Sequence, residues 1–132
     1  MLMLDTHILI WLDQGLDFLG TKARRTIEAA HLRDEVVLSS LSFWEVGMLI
    51  EQRRLAFAGE LSEWRVNLLN SGFFEMPADG AVSIIAAGLK NFPGDPADRI
   101  IVATALVEEA TLVTADENLL GYRRIRTING AR

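Results

Sequence analysis

Apolar residues occur along this chain in short runs, and two kinds of spacing alternate between them. Met1 to Leu4 is an apolar run ending at Asp5, the pattern of a short buried strand that delivers a polar residue at its carboxyl edge. Ile8 to Leu12 predicts a first turn or two of helix. From Thr21 onward Ala23, Ile27 and Ala30 recur at helical spacing, after which Val36-Val37-Leu38 reads as a second strand closed by Ser39 and Ser40.

Ser42 stands three residues before Glu45, the spacing of a capping box, and a helix is predicted from Phe43 to Arg53 through Val46, Leu49 and Ile50. A further helix is expected from about Glu60 to Leu69. Phe73 to Met76 predicts a third strand ended by Pro77, and Ala81 to Leu89 a packed helix broken by Asn91-Phe92-Pro93-Gly94. Asp95-Pro96 is a helix start, with Asp95 as N-cap and Pro96 at the first helical position, and Ile100 to Val107 is apolar nearly all round. Thr111 to Thr114 predicts a fourth strand, Asp116 to Leu120 a short turn or helix, and Ile125 to Ile128 a fifth strand at an edge. Strand and helix alternate throughout, without an internal repeat. The expected class is therefore α/β, with a mostly parallel sheet of four to five strands covered on both faces.

At 132 residues, half of them apolar, the chain supports one core and is read as a single domain over 1–132. The absence of cysteine excludes disulfides, thiolate metal sites and cysteine nucleophiles. No apolar stretch reaches the roughly 18 residues of a spanning helix, and the amino-terminal run lacks a basic region before it, so a cytoplasmic protein without membrane contact is expected. Eighteen acids against thirteen bases give a net charge of −5, which disfavours holding nucleic acid by bulk positive charge. That objection weakens where acids are gathered around divalent cations, because the cation's charge then dominates the field that a phosphate meets.

In open parallel sheets, ligands sit beyond the carboxyl ends of the strands. Asp5 and Asp116 follow strands directly, Glu45 lies near the start of the helix after the second strand, and Asp98 lies in the first turn of the helix before the fourth. Each has a local explanation as a helix cap, a capping-box partner or a turn residue. What points to chemistry is the recurrence of four acids at element termini. Two bare negative charges about 4 Å apart repel by roughly 4 kcal/mol at an effective dielectric near 20, which a bound cation or a protonated carboxyl must relieve. Oxygen donors without Cys or His favour Mg²⁺ or Mn²⁺, and phosphodiester hydrolysis is the chemistry that follows. Thr6 and Thr114 are candidate hydroxyls for orienting a carboxylate or a water, and Arg99 for steadying a phosphate or pairing with a carboxylate. His7 and His31 are assigned no role. Trp11, Phe43 and Trp44 are read first as core rather than as base-stacking groups, and the paired arginines as solvated.

Four segments resemble the PIN-domain VapC toxins in the same order: LDTH at Leu4–His7, SFWEV at Ser42–Val46, GDPADRIIVATAL at Gly94–Leu106 and LVTADENL at Leu112–Leu119. The resemblance spans almost the whole chain. It implies a PIN-like three-layer α/β/α sandwich and a ribonuclease, the toxin of a type II toxin–antitoxin pair, that binds Mg²⁺ or Mn²⁺ and cleaves structured cellular RNA. It further implies a homodimer and a cognate VapB-type antitoxin that blocks the site. Carried over residue by residue, the family's acidic quartet falls on Asp5, Glu45, Asp98 and Asp116, with metal ligation expected of Asp5, Asp98 and Asp116, and the threonine of the last motif on Thr114. Arg53 departs from the pattern where relatives often have glycine. The alternatives kept open are a PIN nuclease of RNA processing and a non-catalytic RNA- or protein-binding module. A phosphatase of the haloacid dehalogenase type requires a second Asp two residues after the first, and that position here is His7.

Overall fold

The computed structural model describes residues 1–132 and orders the elements as β1 (Leu2–Leu4), α1 (Thr6–Gln14), α2 (Thr21–Leu32), β2 (Val36–Ser39), α3 (Ser40–Glu51), α4 (Leu61–Asn70), β3 (Phe74–Met76), α5 (Gly80–Ala87), α6 (Pro96–Val107), β4 (Thr111–Thr114), α7 (Glu117–Leu120) and β5 (Thr127–Asn129). The five strands form one sheet in the order β3-β2-β1-β4-β5, and every neighbouring pair is parallel. The predicted α/β architecture is thus present, with the edge strand β5 joining the sheet in the same sense as the others.

The period-two alternation of the strands assigns each face to its own helical layer. Leu4, Val36, Leu38 and Val113 point to one side, where they pack with Ile8 and Leu9 of α1 and with Ala23, Ile27 and Ala30 of α2. Met3, Val37 and Leu112 point to the other, against Ile101, Val102 and Ala105 of α6 and Leu119 of α7. Both faces are covered, which explains why the strands read as continuous apolar runs rather than as alternating ones. Helix α5 packs on α6 through Val82, Ala86 and Ala103. No helix is long and apolar enough to cross a membrane.

Chain order reverses at β1, whose neighbours are β2 on one side and β4 on the other. That reversal opens a crevice at the carboxyl ends of β1 and β4, the place where open α/β sheets take ligands.

Two helix boundaries depart from the sequence expectation. Helix α1 begins at Thr6, capped by the Asp5 carboxylate, and ends at Gly15, whose φ of 64° is the left-handed conformation glycine adopts without steric cost. Helix α3 begins at Ser40 with Ser39 as its N-cap, so Ser42 is not a cap and Glu45 does not close a capping box. Strand β2 passes into α3 without an intervening loop, and no turn residue marks the junction. At the other end of α3, Arg53 has φ 57° and its amide bonds to Ile50 O while Arg54 N bonds to Leu49 O. The chain therefore keeps the left-handed helix end with a residue that is strained by it.

Replacing Arg53 with glycine removes that strain, which exceeds the extra chain entropy glycine brings to the unfolded state. Arg53→Gly is expected to raise the unfolding free energy by about 0.5–1 kcal/mol, read from urea denaturation curves.

Candidate functional site

Asp5 leaves β1 at the crevice and is buried, with 4% of its surface exposed. A carboxylate at that depth requires hydrogen-bond partners. Its Oδ1 accepts from the Thr6 backbone N–H at 2.8 Å and its Oδ2 from Thr114 Oγ1 at 2.7 Å. The same Thr114 oxygen accepts the Asp116 N–H at 3.1 Å. One hydroxyl at the end of β4 thus links the acid that follows β1 to the acid that follows β4.

Glu45 enters from α3. Its Oε1 accepts from Thr6 Oγ1 at 2.6 Å, and Thr6 Oγ1 lies 2.8 Å from Ser42 Oγ. Because Thr6 has one hydroxyl proton and gives it to the ionised carboxylate, Ser42 is the donor to Thr6. Burial pushes the Glu45 carboxyl above its ordinary value. The Thr6 hydrogen bond opposes that rise, and the charges of Asp5 and Asp95 add to it.

Asp98 occupies the third position of α6 and forms the capping box with Asp95: Asp98 N donates to Asp95 Oδ1 at 2.9 Å, and Asp95 N to Asp98 Oδ2 at 3.3 Å. Burial, followed by the charge of Asp95, lifts the Asp98 carboxyl from 3.8 to about 7; the Asp95 backbone hydrogen bond works against this, and the charges of Asp5 and Asp116 reinforce it. Gly94 faces this carboxylate closely enough that a Cβ there would stand 2.8 Å from both Asp98 Cβ and Oδ2. Asp116 caps α7, its Oδ1 accepting from Asn118 N at 2.8 Å.

The structure therefore brings Asp5, Glu45, Asp98 and Asp116 to one region, with Thr6 and Thr114 hydrogen-bonded among them. Arg99 makes no contact with these four acids. Its Nη1 donates to the carbonyls of Ala86 at 3.0 Å and Leu89 at 3.1 Å, and its guanidinium lies over the Phe92 ring. One step along a helix turns a side chain by about 100°, so Arg99 ties α6 to the end of α5 instead of joining Asp98. Two further residues belong to the site. Ser42, first read as a cap, feeds the Thr6–Glu45 chain. His7 lies with Nδ1 3.6 Å from Asp5 Oδ2 and Nε2 accepting the Ala115 N–H at 3.0 Å. The signal that could have found His7 is its position two residues after Asp5, within the same LDTH segment.

No Lys or Arg pairs with any of the four acids; the ion pairs of the chain that involve arginine are Arg33–Glu35 and Arg65–Glu75. The negative charge is thus relieved by hydrogen bonds, by helix N-termini and by the raised Asp98 carboxyl. The donors are hard oxygens, which suit Mg²⁺ or Mn²⁺. No three Asp, Glu or His side chains stand in an arrangement that could hold one ion on their own. Mg²⁺ typically keeps several waters and takes one or two carboxylates, so this set fits such an ion with water completing its shell. Beside Glu45, a groove of about 550 Å³ runs between α3 and α6, lined by Trp44, Met48, Pro96 and Ile100 and reaching Asp95. Of the aromatics considered above, Phe43 is buried at 8% exposure, whereas Trp44 is 57% exposed.

The PIN domain family profile matches residues 2–125. The chain is 33% identical over 130 residues to Ribonuclease VapC22 of Mycobacterium tuberculosis, covering 96% of this chain and 95% of that protein. Among solved structures it is similar to VapBC2 from Rickettsia felis bound to a DNA fragment from their promoter, with TM-score 0.71, 16% identity and 97% of each chain covered. It is likewise similar to DNA-bound VapBC from Salmonella typhimurium, with TM-score 0.67, 19% identity and 96% of each chain covered.

The raised Asp98 value sets the sign of one pH dependence in metal-free protein. Folding disfavours the Asp98 carboxylate, so its contribution to stability is fully present below 3.8 and is lost as pH rises through about 7. Asp98→Asn keeps the capping oxygen without the charge. In EDTA the variant is expected to be more stable than the parent above pH 7 and to lose this advantage in acid, which urea unfolding across the range measures.

Proposed function

Because this chain belongs to the PIN domain family, we propose that it is a Mg²⁺- or Mn²⁺-dependent endoribonuclease, the toxin of a type II toxin–antitoxin pair, which hydrolyses phosphodiester bonds in structured cellular RNA. The observation that carries this reading is the gathering of four carboxylates at the β1–β4 crevice with no Lys or Arg among them. Asp5, Asp98 and Asp116 are the candidate ligands and would share the cation with water, since no three of these side chains stand close enough to hold it on their own. When bound, the cation supplies charge for the phosphate oxygens and lowers the pKa of a water. Asp5 is fixed for this task by Thr6 N–H and Thr114 Oγ1, and each of its oxygens retains a free lone pair. Glu45 has one oxygen held by Thr6, and its carboxyl lies above its ordinary value, which suits a group that accepts a proton from an attacking water. Asp98, lifted to about 7, would hold the cation in its ionised form, which a neighbouring positive charge would favour.

The toxin assignment draws support from the relatedness to Ribonuclease VapC22 and from the likeness to VapC chains found in complexes with their partners. The proposed partners are RNA as substrate and a VapB-type antitoxin that occludes the acidic crevice. A homodimer is part of the reading, for which Ile84, 76% exposed on α5, offers an apolar contact.

Purified, antitoxin-free protein incubated with total cellular RNA is expected to yield discrete fragments in Mg²⁺ or Mn²⁺ and none in EDTA. Asp5→Asn and Asp98→Asn, checked for folding by circular dichroism, should each lower the cleavage rate by about 10²-fold or more, since each removes part of a cation site that stabilises the transition state by several kcal/mol. Absence of cleavage by folded, metal-loaded protein across the RNA pool would overturn the nuclease reading.

A further inference from the structure

His7 accepts the backbone N–H of Ala115 on its Nε2 at 3.0 Å, a bond that requires an unprotonated Nε2 and so places the ring proton on Nδ1. That Nδ1 faces Asp5 Oδ2 at 3.6 Å, too long for a hydrogen bond but correctly signed. The ring packs edge-on against Trp11, one helical turn further along α1, with centroids 5.0 Å apart. The imidazole is therefore held between α1 and the segment that follows β4.

That segment has two consecutive backbone donors before α7. The Ala115 N–H is taken by His7 and the Asp116 N–H by Thr114 Oγ1. Thr114 Oγ1 is itself anchored on Asp5 Oδ2. Both amides of the turn are thereby tied, one directly and one through a hydroxyl, to residues 5 to 7. Asp116 N and Oδ1 are both engaged within this turn, so its carboxylate follows the turn's placement.

We propose that His7 is a positioning residue: by holding the Ala115 amide it fixes the β4–α7 turn so that Asp116 is presented to Asp5 and Asp98. The importance of that presentation for cation binding rests on the proposed function, whereas the tie itself does not. Thr114 holds one side of the turn and His7 the other. Without His7 the turn keeps its tie to Asp5 through Thr114, the bond from Gly130 N–H to the Thr114 carbonyl and the buried Leu119, but the Ala115 amide is released and Asp116 is held less closely to Asp5.

The test compares His7→Phe, His7→Gln and His7→Asn. Phenylalanine keeps the ring against Trp11 and removes the acceptor; glutamine places an oxygen where Nε2 stood; asparagine places polar atoms where Nδ1 stood. In metal-free protein, hydrogen exchange at the Ala115 amide is expected to accelerate about tenfold or more in His7→Phe and His7→Asn and to return toward the parent rate in His7→Gln, with thermal unfolding showing that all three remain folded. Mn²⁺ affinity by calorimetry should fall about 10- to 100-fold in His7→Phe, the range for losing a group that orients a ligand, and recover in His7→Gln. With RNA, kcat should follow the metal affinity while KM changes little. An unchanged Ala115 exchange rate in His7→Phe would remove the tie. Rescue by asparagine rather than glutamine would shift the role to the Asp5 side. Changed exchange with unchanged Mn²⁺ affinity would make His7 merely structural. If the parent itself binds no Mn²⁺ and cuts no RNA, the proposed function fails while the exchange data still decide whether His7 sets the turn.

Discussion

The structure depends on satisfying one buried carboxylate. Asp5 sits at the end of the central strand, and at that depth an unpaired charge would cost more than a small domain can supply from its net stability. Its partners come from Thr6, the first residue of α1, and from Thr114, the last residue of β4. Meeting those two bonds sets the start of α1 and the register of β4 beside β1, in which Leu4 stands opposite Val113. The other acids are arranged around this fixed point.

Three of the four acids spend one oxygen on a helix N-terminus. Asp5 caps α1, Asp116 caps α7, and Asp98 returns a bond to the Asp95 amide at the head of α6. The local reading of each acid as a cap and the functional reading as a site residue are consequently the same geometry seen from two sides. Capping orients the side chain, the positive ends of α1 and α6 temper the negative charge, and the remaining lone pairs stay available. This is how the fold tolerates the cluster without a lysine or arginine inside it.

Much of this was legible in the sequence because the signals were local. The strand at Thr111–Thr114 and the helix start at Asp95-Pro96 follow from composition and spacing alone, and the structure places both where the pattern predicts them. Ser42 misled because S-x-x-E satisfies the capping-box spacing, while the true cap, Ser39, sits at the end of a strand that runs directly into the helix. The partner of Glu45 is Thr6, 39 positions away, and no periodicity within α3 reports it. Arg99 follows Asp98 directly, yet one step on the helix its Nη1 meets the carbonyls of Ala86 and Leu89, contacts that sequence adjacency does not report. His7 stands two residues after Asp5, a spacing that hints at the site, but its contact with Ala115 exists only once the end of β4 is brought beside β1.

The bond between Asp5 and Thr114 spans 109 positions. During synthesis, β1, α1 and β2 leave the ribosome long before β4, and contacts so distant in sequence form late. The crevice therefore has no second wall until nearly the entire chain has emerged. A nascent protein of this topology carries its first acid through most of translation without the residues that would complete a centre around it. A centre assembled from residues this far apart is thus a safeguard in time: a product that stops short of β4 cannot gather the four carboxylates, whatever chemistry they carry out once together.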